Sequence, residues 1–445
     1  MNASSSQQAV GLVNLLSATN SLSASDQDIE FAAITTSDAI GCILGATSTD
    51  IGKAVTAWAK TQPESAQARA FVLGALSNVL EMDAMHVSSS VHPGTVVIPA
   101  ALAVAIGKNS PTEALFRAIL RGSEAALRLG RSTGAKHRKL FQSTSTCAAV
   151  GAALACSDLF ELDEEGALNA MGNAASTAGG LWAFVDEETN TKQWHAGHAS
   201  QVGVACAQLA SHGVIGARHV IDSTRGFHTV LCPDPSPDEL SKEYGQWQLL
   251  GTSFKPWPCP RPAHSSITAT LKLSQRVAAS EVEKVVLRTF GMATGLCDRP
   301  APDNPHHARF SLQHCVAAAL IDGRVDFASF EMETITRVAQ MTSRVLVSED
   351  AQMSEAYPGL SQASIEVTMK DGTTVAESTD HALGDPEYPL VDHQLKEKQL
   401  AMLKKANCPD TDALAGILES TAARQADLLP KLRAGLGMCG VKFAA

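Results

Sequence analysis

The chain has 445 residues, 45% of them hydrophobic and only 5% aromatic, with a formal net charge of −11. That length allows two or three domains and a large core, and the excess of small apolar over aromatic residues suits Ala-rich helical packing. An acidic balance with no long basic stripe excludes a nucleic-acid footprint, but a few residues set the charge of a pocket, so small anionic substrates remain open.

In chain order, the first half reads as helix after helix. Ser25-Asp26 caps a helix running to about Leu44. Helices over 64–81 and 95–107 follow, with His86–His92 as the loop between them. Pro111 opens another to about Leu129, and 145–160, 163–178 and 196–213 continue the pattern. Many of these are apolar on several faces, as a central buried bundle requires. Four prolines in Lys255–Pro262 break the texture, because proline suits neither a helix interior nor a central strand. Beyond them, Val282–Phe290 and Arg344–Val347 have strand composition, Phe310–Leu320 looks helical, and 365–377 is a hairpin around Asp371-Gly372. From about His393 the chain returns to helix, over 394–405 and 411–422. The fold expected is mostly α. A discontinuous helical bundle domain covers 1–255 and 396–445, and a smaller α+β domain is inserted over 256–395. The Ser-rich residues 3–6 read as a frayed terminus.

Ten cysteines occur without a Cys-x-x-Cys, and the first basic residue is Lys53, unlike a signal or transit peptide. No apolar run reaches the ~18 residues of a membrane-spanning helix. A soluble cytoplasmic protein with reduced thiols is expected, with neither membrane nor nucleic acid as partner. No Walker loop, Gly-x-Gly-x-x-Gly or zinc-ligand spacing occurs, so neither cofactor nor metal is expected, and His306-His307 is read as incidental. The run Arg128, Arg131, Lys136, Arg138, Lys139 reads as a solvated or intersubunit loop, with the lining of an anionic pocket as the alternative.

Residues 81–94 carry the strongest clue. Glu81, Asp83, His86 and His92 fall within twelve residues and close on His92-Pro93-Gly94, just ahead of an apolar run. Unpaired charges are costly to bury, whereas proton transfer near neutral pH uses imidazoles oriented by carboxylates. Three further stretches stand out. Thr191-Lys192-Gln-Trp-His195 puts a lysine just ahead of an expected helix start, a locally positive region suited to carboxylates. Lys255, Arg261 and His264 lie in or beside the Pro-rich segment, and Phe310-Ser311-Leu312-Gln313-His314 opens a helix.

Together these four stretches resemble the signatures of the MmgE/PrpD family, the group containing 2-methylcitrate dehydratase, cis-aconitate decarboxylase and iminodisuccinate epimerase. The resemblance implies a helical domain, an α+β lid domain, an active site between them, a homodimer, and cofactor-independent carbon-acid chemistry on a small di- or tricarboxylate. It implies Asp83, His86, His92, Lys192, His264 and His314 as catalytic residues, and Glu81, Gln142, His195, Lys255 and Arg261 as substrate-binding residues. The sequence departs from the family pattern at Ala84 and Met85, at Gln142 where a His is frequent, and at His314 where a Tyr is usual. Gln142 can hydrogen-bond a carboxylate but cannot move a proton. A lyase, dehydratase or decarboxylase, is expected. An epimerase is the alternative, with His314 facing a second histidine across one carbon. A non-catalytic carboxylate binder is the third reading.

Overall fold

The computed structural model describes residues 11–406, 408 and 410–444, so the Ser-rich residues 3–6 lie outside the described part. The chain divides into two compact units: Met1–Thr252 with Lys396–Ala445, and Ser253–Leu395. The first is helical. The second is α+β, and the chain as a whole is mostly α.

Two helices form the centre of the first unit. Pro93–Lys108 buries every residue from Pro93 to Ile106, and Ser143–Leu159 is buried over nearly its whole length. Their apolar residues point in all directions, which fits helices surrounded by other helices. Close approach is achieved with glycine. Gly122 on Thr112–Ser132 faces Gly151 on Ser143–Leu159, and a Cβ on Gly122 would come within 2.5 Å of the Gly151 carbonyl oxygen. Gly74 on Ala66–Ser77 meets Ser200 and Ala196 of Thr191–Ser211 in the same way. These contacts explain a large core with few aromatic residues.

Pro99 lies inside the central helix and has no N–H to give to the Thr95 carbonyl one turn earlier. The Ser77 and Ser200 hydroxyls lie 3.4 Å from that carbonyl, while each donates its proton at shorter range within its own helix, to the Gly74 carbonyl at 2.6 Å and to the Ala196 carbonyl at 2.9 Å. The carbonyl freed by Pro99 is thus bordered by one polar side chain from each of two neighbouring helices.

Asp26–Ala46 is long and apolar enough to cross a membrane by length and composition, where the sequence reading expects no such run. However, 83% of that window is buried inside the protein, and its Asp38 is ion-paired with Lys398 of the helix Asp392–Lys405. It is a core helix of the bundle.

The second unit carries a four-stranded sheet: β1 (Val282–Thr289), β2 (Val345–Glu349), β3 (Ala363–Met369) and β4 (Thr374–Thr379), in the order β2-β1-β3-β4. β1 pairs parallel with β2 and antiparallel with β3, matching Val285 to Val345 and Leu287 to Ile365. The hairpin turns at Asp371-Gly372, where Gly372 takes φ +85°. Val285, Leu287, Ile365 and Val367 form one apolar core with Ile267 and Leu273 of His264–Ser274 and Val316 and Leu320 of Leu312–Asp322. The helices Met332–Thr342 and Leu428–Met438 lie outside the segments that the sequence pattern marks.

Candidate functional site

The helix expected over 64–81 stops at Ser77. Val79 and Leu80 continue the apolar pattern, but Leu80 is buried in the core instead, beside Gly45. The chain then turns, with Glu81 N–H donating to the Asn78 carbonyl at 3.3 Å and Glu81 itself at φ +55°. This left-handed residue starts the acidic segment Glu81–Asp83, whose side chains are buried.

Asp83 Oδ2 lies 2.6 Å from His92 Nδ1, with the two side chains 3% and 14% exposed. A carboxylate at that distance keeps a proton on Nδ1 and leaves Nε2 as the nitrogen able to exchange one. His92 is fixed by its place in the backbone. It is the N-cap of Pro93–Lys108, its carbonyl accepts from the Thr95 hydroxyl at 3.0 Å, and its own N–H donates to Thr144 Oγ1 at 3.1 Å.

Thr144 and Gln142 sit at the start of Ser143–Leu159, with Gln142 as N-cap. Gln142 N–H donates to the Gly180 carbonyl at 2.9 Å, and its Oε1 accepts from His195 Nδ1 at 2.8 Å. His195 therefore carries its proton on Nδ1 when neutral, with the lone pair on Nε2. Burial, reinforced by His198, lowers its proton affinity. Phe184 stands edge-on to the ring, 5.6 Å between centroids.

Lys192 and His195 share the first turns of Thr191–Ser211. The sequence pattern starts this helix at 196 and leaves Lys192 ahead of it. The polar Thr191-Lys-Gln-Trp turn hides the true start. Lys192 Nζ is ion-paired with Glu81, the side chains 17% and 11% exposed. Glu81, expected to bind substrate directly, thus holds the lysine instead.

Six expected site residues are joined in this way: Glu81 to Lys192, His195 to Gln142, and Asp83 to His92, whose N–H reaches the same helix start as Gln142. Three helix N-termini, at Pro93, Ser143 and Thr191, meet around them. Each contributes roughly half a positive charge and N–H groups without helical partners. With Lys192, this is a cationic setting for a carboxylate beside an Asp–His pair.

His86 is turned to other partners. Its Nδ1 is 2.8 Å from Ser89 Oγ, and Gly251 packs against its Nε2 side. Burial, with the charges of Arg131 and Arg138, pushes its pKa down to about 3. A group so low is a neutral imidazole at pH 7, so of the two roles open to a catalytic histidine it fits that of an acid less well than that of a base.

In the second unit, His264 opens its helix and its Nε2–H donates to the Cys259 carbonyl at 3.1 Å. Lys255 is fully buried. Arg261, expected at a substrate carboxylate, is ion-paired with the buried Asp385, which also accepts from Ser253 Oγ at 2.6 Å. His314 is fully buried, its Nε2–H donates to the Ser329 carbonyl at 2.7 Å, and burial lowers its proton affinity. That arrangement fits a strap between helix and loop and counts against the epimerase role, which needs His314 as an exchanging group.

In the basic run at 128–139, Lys136 and Lys139 are exposed, as a solvated loop requires, but the two arginines at its start are not part of such a loop. Arg128 is buried and donates to Glu124 Oε1 at 2.6 Å, and Arg131 pairs with Glu239 at 2.6 Å, so both are internal struts. Sequence reasoning misses the role of Thr144 at the His92 backbone, and it misses two buried histidines. His137 lies between the Leu231 carbonyl and Thr146, and His228, its pKa pushed down to about 4 by burial, bonds Ser132. The polar Gln142–Thr146 run ahead of an Ala-rich helix is the available signal for Thr144. Among the described residues, no three His, Cys, Asp or Glu side chains are grouped to hold a metal ion.

The family model of the MmgE/PrpD N-terminal domain matches residues 12–240, and that of the C-terminal domain matches 257–418. The chain is 28% identical over 295 residues to cis-aconitate decarboxylase of Mus musculus, covering 63% of this chain and 59% of that enzyme. It is 25% identical over 366 residues to the cis-aconitate decarboxylase-like protein oryM of Aspergillus oryzae, covering 75% and 74%. It is 26% identical over 224 residues to the 2-methylcitrate dehydratase-like protein oryR of the same organism, covering 46% and 45%. The match to the mouse enzyme therefore spans about three-fifths of its length.

Proposed function

Because the chain belongs to the MmgE/PrpD family, we propose that it is a lyase acting on a small di- or tricarboxylate of the cis-aconitate or 2-methylcitrate kind. The observation that carries this reading is the meeting of three helix N-termini and Lys192 around the Asp83–His92 pair.

The chemistry follows from the charges. A substrate carboxylate takes the place of Glu81 at Lys192 and is held by the helix N-termini. Negative charge that spreads onto it during proton transfer or CO2 loss is met by cations already in place, and such preorganised stabilisation usually contributes more to catalysis than any other effect. His92 Nε2, oriented through Nδ1 by Asp83, moves the proton at the neighbouring carbon, a contribution of typically ~100- to 10,000-fold. His195 offers a second lone pair at Nε2, fixed by Gln142. Decarboxylation ends with protonation of the resulting carbanion; dehydration ends with loss of hydroxide as water.

The test is incubation with cis-aconitate, citrate, isocitrate and 2-methylcitrate in D2O, followed by NMR. Solvent deuterium beside a carboxylate, with CO2 or water lost, is the expected outcome. Binding of these acids with neither deuterium incorporation nor product would overturn the proposal in favour of a carboxylate-binding protein.

A further inference from the structure

The acidic segment is gripped from below by a residue far away in sequence. Lys398, on Asp392–Lys405, donates from Nζ to the Met82 carbonyl at 2.9 Å and is ion-paired with Asp38 of Asp26–Ala46. Both side chains of that pair are 1% exposed. Met82 lies between Glu81, which holds Lys192, and Asp83, which orients His92. Its carbonyl thus lies on the backbone between the two carboxylates, where a fixed contact constrains both. The helix under Lys398 is itself locked, since Gln399 Nε2 donates to Ser37 Oγ at 3.0 Å and Met402 packs on Gly41.

A buried ion pair is a poor source of stability, because desolvation offsets its attraction and apolar residues of similar volume do as well. It is a good source of specified geometry. We propose that Lys398 is a positioning residue: its buried ammonium, held by Asp38, fixes the Met82 carbonyl and with it the Asp83–His92 and Glu81–Lys192 contacts. This takes the Asp83–His92 pair as the proton-transfer group and so rests on the function proposed above.

The experiment separates positioning from folding with two variants, each compared with wild type in thermal stability, in cis-aconitate kinetics, and in hydrogen exchange over 78–86. Asp38→Leu with Lys398→Met replaces the pair by apolar groups and deletes the donor. It should keep its Tm, lose exchange protection over 78–86, and lose kcat by roughly 100-fold, as a misplacement near 1 Å does, with KM little changed. Asp38→Asn keeps the donor and removes the counter-charge. With the ammonium no longer held it should lose Tm and, in step, part of kcat and of the exchange protection over 78–86. A folded double variant with wild-type kcat overturns the proposal. Should that variant fail to fold, Asp38→Asn with Lys398→Gln carries the same test, because the glutamine amide is too short to reach Met82. Should wild type leave cis-aconitate, citrate, isocitrate and 2-methylcitrate all unchanged, the lyase reading fails by itself. Exchange over 78–86 then decides the positioning: faster in the double variant supports it, unchanged overturns it.

Discussion

Glu81→Gln should tighten substrate binding. In the structure the Glu81 carboxylate occupies Lys192, so an incoming carboxylate must displace it. At contact separation and an effective dielectric of ~20 the attraction between such charges is about 4 kcal/mol. The two side chains are only 11% and 17% exposed, so screening removes little of it. Glutamine keeps an amide oxygen for the lysine and has similar shape, so about half of the attraction should remain as a competing bond. The other half, about 2 kcal/mol, becomes available to the substrate, or roughly 30-fold in affinity. Steady-state KM for cis-aconitate reports it, and calorimetric Kd for tricarballylate, which cannot react by the same route, reports it independently of turnover. The reasoning is refuted by an unchanged Kd. A weaker Kd would mean that Glu81 contacts substrate itself, the role that the family resemblance implies.

Lys192→Ala should fold normally and lose turnover by several orders of magnitude, measured as kcat beside an unchanged Tm, because its charge acts most where negative charge develops. Lys192→Arg should rescue poorly, since a planar fork does not replace a point charge. Asp83→Asn should lower kcat by roughly 100-fold or more through loss of the ionised partner that orients His92, with a smaller change in KM; near-normal kcat would remove the pair from the mechanism. Acid should destabilise the fold in a window set by His86 and His228. Above about 6.5 both are neutral folded or unfolded; below it the unfolded chain takes up protons that the buried rings refuse, until pH reaches about 3 and about 4 respectively. Each should remove about 1.4 kcal/mol of stability per pH unit in that window, read from urea midpoints between pH 7 and 5. His228→Gln should flatten the slope, and an unaltered slope would show that His228 is not the source.

Much of this is legible in the chain. The bundle can be read because Pro93–Lys108 and Ser143–Leu159 are almost wholly apolar, and the sheet because β3 and β4 alternate about Asp371-Gly372. The site residues are legible as types, since two carboxylates and two histidines crowd one short stretch. Their partners are not. Nothing local says that Glu81 faces Lys192 rather than solvent, that His86 turns to Ser89 while His92 turns to Asp83, or that Lys398 reaches Met82. Such pairings are decided by how helices cross, and a single sequence records the residues at a crossing without naming the residues opposite. Helix ends fail for a related reason. Leu80 fits the helical period but is claimed by the core beside Gly45, and the polar first turn at Thr191 has no apolar mark.

The Thr95 carbonyl, released by Pro99 and bordered by the Ser77 and Ser200 hydroxyls, has a bearing on motion. Packed helices commonly yield by sliding along one another a little at a time. Here one oxygen has its polar neighbours where hydroxyls of both adjoining helices border it at 3.4 Å, and an axial slip of either helix would leave it facing apolar side chains. Shear among these three helices is therefore disfavoured at this one polar point in an apolar packing layer. Admission of a ligand must draw on segments outside that joint, the turns over 78–92 and 178–190, so slow exchange at the helix centres and faster exchange in those turns is the dynamic signature to look for.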